Sequence, residues 1–323
     1  MSIATALTPQ KTNQTFLHDV IQGLSQSPKT LPCKYFYDER GSDLFEKICE
    51  TQEYYVTRTE MAIYRDRAAE MAALIGPNAQ IIEPGAGALK KVSLLLNALQ
   101  DPLAYTPMDI SADFLRQCSD KLRHQFPFLD IDPIAVDFNN HEALIDGLRR
   151  RDFDASPRVI FFPGSTIGNF APAAATTFLA AIAKGLKSGD GLLIGVDLLK
   201  SEAVLEAAYN DVDGFTEAFN KNLLRRINVE LDSDIDAEYF SHIACFNQNQ
   251  QRIEMHLRSD REQYCQVGDK RFYFAEGETI HTENSYKYSS EDFIALAAGA
   301  GFKSETVWMD AEQLFSVHFM RRV

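Results

Sequence analysis

The stretch Gln80 to Lys91, QIIEPGAGALKK, constrains the fold more than any other part of the chain. Ile81 and Ile82 run into Glu83, then Pro84, Gly85, Ala86 and Gly87, and then a helical pattern, KKVSLLLNALQ. That order predicts a buried strand, a tight glycine turn and an amphipathic helix. Without Cβ atoms the glycines let the backbone turn sharply and come close to a ligand. Such a turn, at the carboxyl end of a strand, is where open α/β sheets bind nucleotides. NAD fits it poorly. Lys90 stands where G-x-G-x-x-G has its third glycine, and Glu83 puts a carboxylate at the strand end. A carboxylate there suits a cationic ligand, and S-adenosylmethionine (SAM), with its ammonium and sulfonium, is one.

From Gln80 onward strand and helix patterns alternate. The strand candidates are QIIEP, AYTPMDI, IDPIAVDF, RVIFFPG and GLLIGVDLL, with helical stretches such as SADFLRQCSDKLRHQF and AAATTFLAAIAKGL between them. Near-continuously apolar strands in β-α-β order predict a parallel sheet covered on both faces. The late segment SSEDFIALAAGAGFKSETVWMD and FSVHFMRRV predict a last helix and two closing strands. The fold class expected is therefore α/β, a Rossmann-like methyltransferase-type sheet with helices on both faces.

Between Lys200 and Tyr286 the alternation breaks. Helical SEAVLEAAYNDVDGFTEAFNKNLLRRINVEL is followed by strand-like RIEMHLRS and RFYFAEGETIHTENSYKYS. Earlier in the chain, residues 16–30 read as a helix and 59–75 as another, stopped by Gly76-Pro77. The segment between them is rich in aromatics (Tyr35, Phe36, Tyr37, Phe45, Tyr54, Tyr55), which suit either a core or a pocket lined with hydroxyls. These patterns predict a SAM-binding domain from 61–200 with 286–323. A second, α+β substrate-binding domain is expected from 16–60 with 201–285, after a loosely ordered start at 1–15.

Composition narrows the partners. With 32 Lys and Arg against 46 Asp and Glu, the formal charge of −14 argues against nucleic acid, whose phosphates call for a basic surface. No apolar run reaches the length of a membrane span. The five cysteines form no C-x-x-C, so reduced thiols and a cytoplasmic location are expected. No metal is expected either. The seven histidines show no H-x-x-x-H. DSDIDAE (232–238) lacks the glycine and the bidentate Glu of a calcium loop, having Ile243 at the last position. His242 and His256 read as core or interface histidines. No G-x-S-x-G or P-loop is present, and no obligate protein partner is evident.

Three acids end successive strands: Glu83, Asp109 and Asp137. A carboxylate about twenty residues beyond a glycine turn accepts from ribose hydroxyls, a place that Asp109 suits. Asp137 can accept from an adenine amine while Phe138 offers a ring face. Each acid alone also suits a helix cap. In GSTIGN, Asn169 can orient an amine through its carbonyl or a carboxylate through its NH2.

GSTIGN, KYFYDERGSDLFE, EYYVTRTE, AYNDVDGFTEAFNKNLL, RIEMHLRS and TENSYKYS together resemble the histidine Nα-methyltransferase family of ergothioneine biosynthesis. The resemblance runs from about Lys29 to the C-terminus. It implies a SAM-binding α/β domain with a substrate-binding domain, and conversion of L-histidine to its trimethylammonium betaine, hercynine. By motif, it implies SAM contacts at Gly85, Lys91, Asp109, Asp137 and Phe138, beside Glu83 and Gly87 of the turn. Tyr54, Asn169 and Tyr209 match positions holding the amine and carboxylate, and Tyr37 and Phe45 match aromatics of the same pocket. Glu283 and Ser285 match the pair that hydrogen-bonds the imidazole, and Met255 a residue walling it. Tyr37 is implied to receive or relay the amine proton, with Asn169 as its catalytic companion. The turn departs from the family's usual E-L-G-S-G, and adjacent Lys90 and Lys91 leave open which lysine serves. Other readings are an N-methyltransferase of another α-amino acid or small amine, and a SAM- and amino-acid-binding protein without turnover.

Overall fold

The computed structural model describes residues 9–87, 89–150 and 156–323, with side chains from Gln14 onward. Backbone contacts divide the chain into two compact units. One runs to Tyr55 and takes in Lys200–Ser285, and the other comprises Val56–Leu199 and Tyr286–Val323.

An eight-stranded sheet is the spine of the second unit. Its order is Phe302–Met309, Phe315–Arg322, Gly191–Asp197, Arg158–Phe162, Gln80–Pro84, Ala104–Asp109 and Asp130–Ile131, with Ile134–Ala135 also on the Ala104–Asp109 strand. Phe315–Arg322 runs antiparallel to both neighbours, and the inner strands are parallel. Strand order reverses around Gln80–Pro84, which has Ala104–Asp109 on one side and Arg158–Phe162 on the other. Open sheets bind ligands outside the carboxyl ends of strands at such a reversal.

Gln80–Pro84, Arg158–Phe162 and Gly191–Asp197 are buried at every residue, as strands covered on both faces must be. On one face Ile82, Ile160, Phe162 and Ile194 share a core with Leu144 and Leu148 of helix His141–Arg149, Phe178 of helix Pro172–Gly185 and Phe293 of helix Ser290–Gly299. On the other face Tyr64, on helix Tyr55–Ile75, packs against Phe161 with ring centroids 5.4 Å apart. Side-chain caps fix two of these helix starts. Asn140 accepts from the Ala143 N–H and Ser289 from the Asp292 N–H. The unit is the Rossmann-like α/β sheet that the alternation predicted.

The first unit holds a four-stranded sheet in the order Lys29–Thr30, Thr279–Tyr286, Arg252–Ser259, Phe240–Asn247, and a hairpin of Gln263–Val267 with Lys270–Phe274. Helix Phe215–Leu231 lies against it, burying Phe219, Asn220, Leu223, Leu224 and Ile227 at helical spacing. Asn220 locks the contact. Its amide donates to the His256 carbonyl (3.1 Å) and its carbonyl accepts from Thr282 Oγ1 (2.8 Å). Helix Glu39–Glu50 is capped by Asp38, which accepts from Gly41 N–H at 2.7 Å.

Several boundaries differ from expectation. The first helix spans Pro9–Leu24 rather than 16–30, so it begins inside the stretch expected to be loose; residues 1–8 of that stretch lie outside the described residues. It stops early because Pro28 biases Ser27 away from helical backbone, and Lys29–Thr30 then pairs with Ile280 and His281. The helix expected at 59–75 starts at Tyr55. IDPIAVDF forms two short pairings instead of one strand, because Pro133 between them has no N–H to offer the ladder.

Within the second unit Lys287 Nζ meets Asp197 Oδ2 at 2.7 Å, both side chains fully buried. Removing one partner of such a pair strands the other charge in the core. Lys287→Met should lower stability in urea unfolding by about 3–5 kcal/mol. Adding Asp197→Asn should recover part of that loss, and a strictly additive double variant would show that the pair is not coupled.

Candidate active site

Each unit gathers one set of the singled-out residues. In the second unit the Gly85 and Ala86 N–H groups both donate to the Met108 carbonyl, at 2.7 and 2.9 Å, pinning the glycine turn to the neighbouring strand. Gly85 has φ +72°, and a Cβ there would lie 3.1 Å from Phe138 Cε1. Both facts call for glycine. They also put the Phe138 ring beside the turn, where it packs on Phe162, Phe170 and Phe178. A Cβ at Gly87 would meet nothing within 4 Å.

Register brings the three acids to one end of the sheet. Pro84 pairs with Met108, and Asp109 pairs with Ala135, two residues before Asp137. Glu83 is buried, its Oε2 accepting from the Tyr105 hydroxyl at 2.5 Å. Burial drives its carboxyl up to about 8. The Tyr105 hydrogen bond and the Lys91 charge oppose this, while Glu60 and Asp109 add to it. Asp109 accepts from the Ser111 N–H at 2.8 Å, and burial raises it to about 6. Asp137 accepts from the backbone and side-chain N–H groups of Asn139.

Of the two lysines, Lys90 is exposed at the helix start and Lys91 turns inward, its Nζ 2.6 Å from Glu60 Oε2. Glu60 is fully buried and also accepts from the Gly164 N–H (2.8 and 3.0 Å) and the Tyr64 hydroxyl (3.1 Å). Gly164 opens the GSTIGN turn. Its next residue, Ser165, is left-handed (φ 55°) and takes the Asp197 N–H on its hydroxyl at 2.9 Å. Asn169 ends the short helix Thr166–Asn169, half-buried. It therefore belongs to the same unit as the glycine turn.

The first unit holds the aromatic set. Rings run edge to face from Tyr37 to Phe45 (5.7 Å), Phe45 to Tyr54 (6.1 Å) and Tyr54 to Tyr209 (6.1 Å). Phe219 closes on Tyr37 (5.6 Å) and Phe45 (5.9 Å). The Tyr209 hydroxyl donates to Ser285 Oγ at 2.8 Å. Burial, and next the Glu283 charge, push the Tyr37 phenol well above its usual value; burial and then Tyr209 do so for Tyr54, which Glu283 also reaches. The same carboxylate helps burial raise the Cys33 thiol to about 12. Glu283 therefore lies near enough for its charge to act on Tyr37, Tyr54 and Cys33. Met255 is buried on the adjacent strand, joined through its carbonyl to Thr282 Oγ1 at 3.0 Å. Raised in this way, the Tyr37 phenol is harder to ionise and is set to donate its proton in a hydrogen bond.

Phe219 and Glu60 were not singled out from the sequence. Phe219 lies in AYNDVDGFTEAFNKNLL and Glu60 ends EYYVTRTE, so the strings that carried the resemblance contained both. His242 and His256 are engaged in the first unit, His242 with Asn220 and the Tyr209 carbonyl, His256 with Glu254.

A family model described as a histidine-specific, SAM-dependent methyltransferase matches residues 16–322. The chain is 39% identical over 315 residues to a histidine N-alpha-methyltransferase of Mycolicibacterium smegmatis, and 37% identical over 315 residues to one of Mycobacterium tuberculosis. Each alignment covers 96% of both proteins. It is 30% identical over 306 residues to ergothioneine biosynthesis protein 1 of Neurospora crassa, spanning 91% of this chain and 33% of that longer one. Model and relatives agree over nearly the whole length, and the chain belongs to the histidine-specific, SAM-dependent methyltransferase family.

Proposed function

We propose that this enzyme transfers methyl groups from SAM to the α-amine of L-histidine, three times in all, to give hercynine for ergothioneine biosynthesis. The observation that carries the choice of substrate is the charge of Glu283 acting on the buried phenols of Tyr37 and Tyr54, with Ser285, two residues along the same strand, tied to Tyr209. A carboxylate near buried aromatics accepts readily from an N–H, and an imidazole offers one. Flat rings on either hand suit a flat heterocycle.

In this reading the second unit holds SAM. Asp109 accepts from the ribose hydroxyls, and Asp137 and Phe138 take the adenine edge and face. Gly85 and Gly87 let the backbone approach, Lys91 draws the methionine carboxylate, and Glu83 answers the cationic groups. The first unit holds the amino acid, Tyr54 and Tyr209 fixing its carboxylate, Phe45 and Met255 shaping the space. Asn169 orients the amine through its side-chain carbonyl. The amine lone pair attacks the methyl carbon as the C–S bond breaks, and the sulfonium leaves as a neutral thioether. One proton leaves the nitrogen before each new attack. Alignment is the main contribution that an in-line displacement asks of the protein. The third transfer leaves a quaternary nitrogen without a lone pair, which ends the series. Five free thiols fit a reducing, cytoplasmic setting, and among the described residues no helix is long and apolar enough to cross a membrane.

Mass spectrometry after incubation with SAM and each of the twenty amino acids should find histidine alone gaining three methyl groups on its α-nitrogen. Methylation of a different amino acid would keep the SAM half and remove the histidine assignment. Glu283→Ala should lower kcat/KM for histidine by roughly 10²-fold or more, with SAM affinity within about twofold of the parent. Comparable losses in both would contradict the assignment.

Glu83 makes a pH prediction. Its carboxyl is raised to about 8, so at neutral pH the free protein holds it protonated, and a cation arriving beside it must displace that proton. SAM affinity should rise with pH and level off above about 8. Calorimetry in buffers of different ionisation enthalpy should register proton release at pH 7. Glu83→Gln should abolish the part of both effects that exceeds SAM's own amine titration; an unchanged profile would remove Glu83 from the site.

A further inference from the structure

The least expected group in the second unit is Glu60, a carboxylate with no solvent exposure at the end of EYYVTRTE. It holds three partners, and a fourth part of the fold leaves it room. Lys91 reaches it from the helix after the glycine turn, at 2.6 Å. The Gly164 N–H reaches it from the GSTIGN turn, at 2.8 and 3.0 Å, and Tyr64 from its own helix, at 3.1 Å. The fourth is a space: a Cβ at Gly195, in the strand Gly191–Asp197, would lie 2.1 Å from Glu60 Oε1. Gly195 does not have a left-handed φ, so what excludes a side chain there is the carboxylate first and then the Phe315 ring, whose nearest carbons would lie 3.0 Å away. Gly164 does have φ +80°, and a Cβ on it would stand 3.0 Å from Lys91 Nζ. Two glycines and a hydroxyl therefore make room for one ion pair.

We propose that Glu60 is a positioning residue of the SAM site, fixing the Lys91 ammonium and the Gly164 turn and cancelling the lysine's charge so that a sulfonium cation can be accepted. The proposal rests on the family's use of SAM. Its charge logic is simple. SAM carries an ammonium, a sulfonium and a carboxylate, for a net charge of +1, whereas the product S-adenosylhomocysteine is a thioether zwitterion with no net charge. A free Lys91 cation would attract the carboxylate of both ligands alike but repel only the sulfonium. Glu60 removes that repulsion while leaving the lysine aimed at the carboxylate. The groups that sense this field are the ones around Glu83, namely Tyr105, Lys91, Asp109 and Glu60 itself.

The experiment compares the two ligands. Wild-type protein titrated with SAM and with S-adenosylhomocysteine sets the reference, and SAM binding there carries the family reading independently of Glu60. In Glu60→Gln both affinities should fall, SAM by roughly tenfold more than S-adenosylhomocysteine, because a neutral amide keeps the shape and loses the charge. The pH midpoint of SAM binding should also move down, since Glu60 helps to raise Glu83. Gly195→Ala, which displaces the carboxylate without removing it, should weaken both ligands by similar factors. A merely structural role for Glu60 would leave the ratio and the midpoint where they were, and that result would overturn the proposal. Should Glu60→Gln fail to fold, the variant with Lys91→Met added removes both charges together and should return the SAM to S-adenosylhomocysteine ratio to the parent's. A SAM to S-adenosylhomocysteine affinity ratio still below the parent's in the double variant would also overturn it.

Discussion

The second unit depends on the parallel register between the strands Gln80–Pro84 and Ala104–Asp109. Because Pro84 is level with Met108, one carbonyl collects the two N–H groups of the glycine turn. Because Asp109 is level with Ala135, the next two carboxylates stand a step further along the same edge. A slip of one residue would turn Ile82 and Glu83 to opposite faces and separate the turn from the acids. Continuous burial of the strands on both sides makes such a slip expensive.

Gathering acids at a buried edge has an electrostatic consequence. Glu83 and Asp109 are driven upward by desolvation, with Asp109 adding to the rise at Glu83 and Asp137 to the rise at Asp109. Glu83, raised to about 8, therefore keeps its proton at neutral pH. Glu60, by contrast, already has its cation in Lys91 and a backbone donor in Gly164. Two buried carboxylates of one unit thus meet the same desolvation in different ways, one by a permanent partner and one by holding a proton.

How much of this was legible in the sequence follows from period and punctuation. The apolar runs QIIEP, RVIFF and GLLIGVD left little choice but buried strands, and the glycine turn marked where the first of them ends. The strand Phe240–Asn247 escaped because half-buried residues such as Ser241, His242 and Asn247 give it no clean alternation; its stability comes from pairing with Arg252–Ser259. The early end of the first helix was written in Ser27-Pro28, whose force on the preceding backbone outweighs the apolar spacing of Phe16, Val20 and Leu24. In the candidate site, Tyr37, Phe45, Tyr54 and Tyr209 came together as the motifs implied. Asn169 fell into the other unit, a division that spacing along the chain does not encode. Glu60 was illegible for a different reason: a Glu in a helix reads as a solvated face, and only Lys91, Gly164 and Gly195, all distant in sequence, reveal it as interior.

The edge strand Lys29–Thr30 has a bearing on how the protein is made. It pairs with Ile280 and His281, and Lys29 forms an ion pair with Glu278, 249 residues further on. The first unit is therefore closed by residues synthesised near the end, while the whole run Val56–Leu199 has already left the ribosome. At about 5–20 residues per second, the N-terminal helix waits roughly 10–50 s for its sheet. Throughout that interval Phe16, Val20 and Leu24, buried in the finished fold, have no completed core to enter. The second unit waits longer still, since its inner strand Phe315–Arg322 comes last, so both sheets close only as synthesis ends and the burden of keeping the early apolar residues apart falls on translation rather than on the finished enzyme.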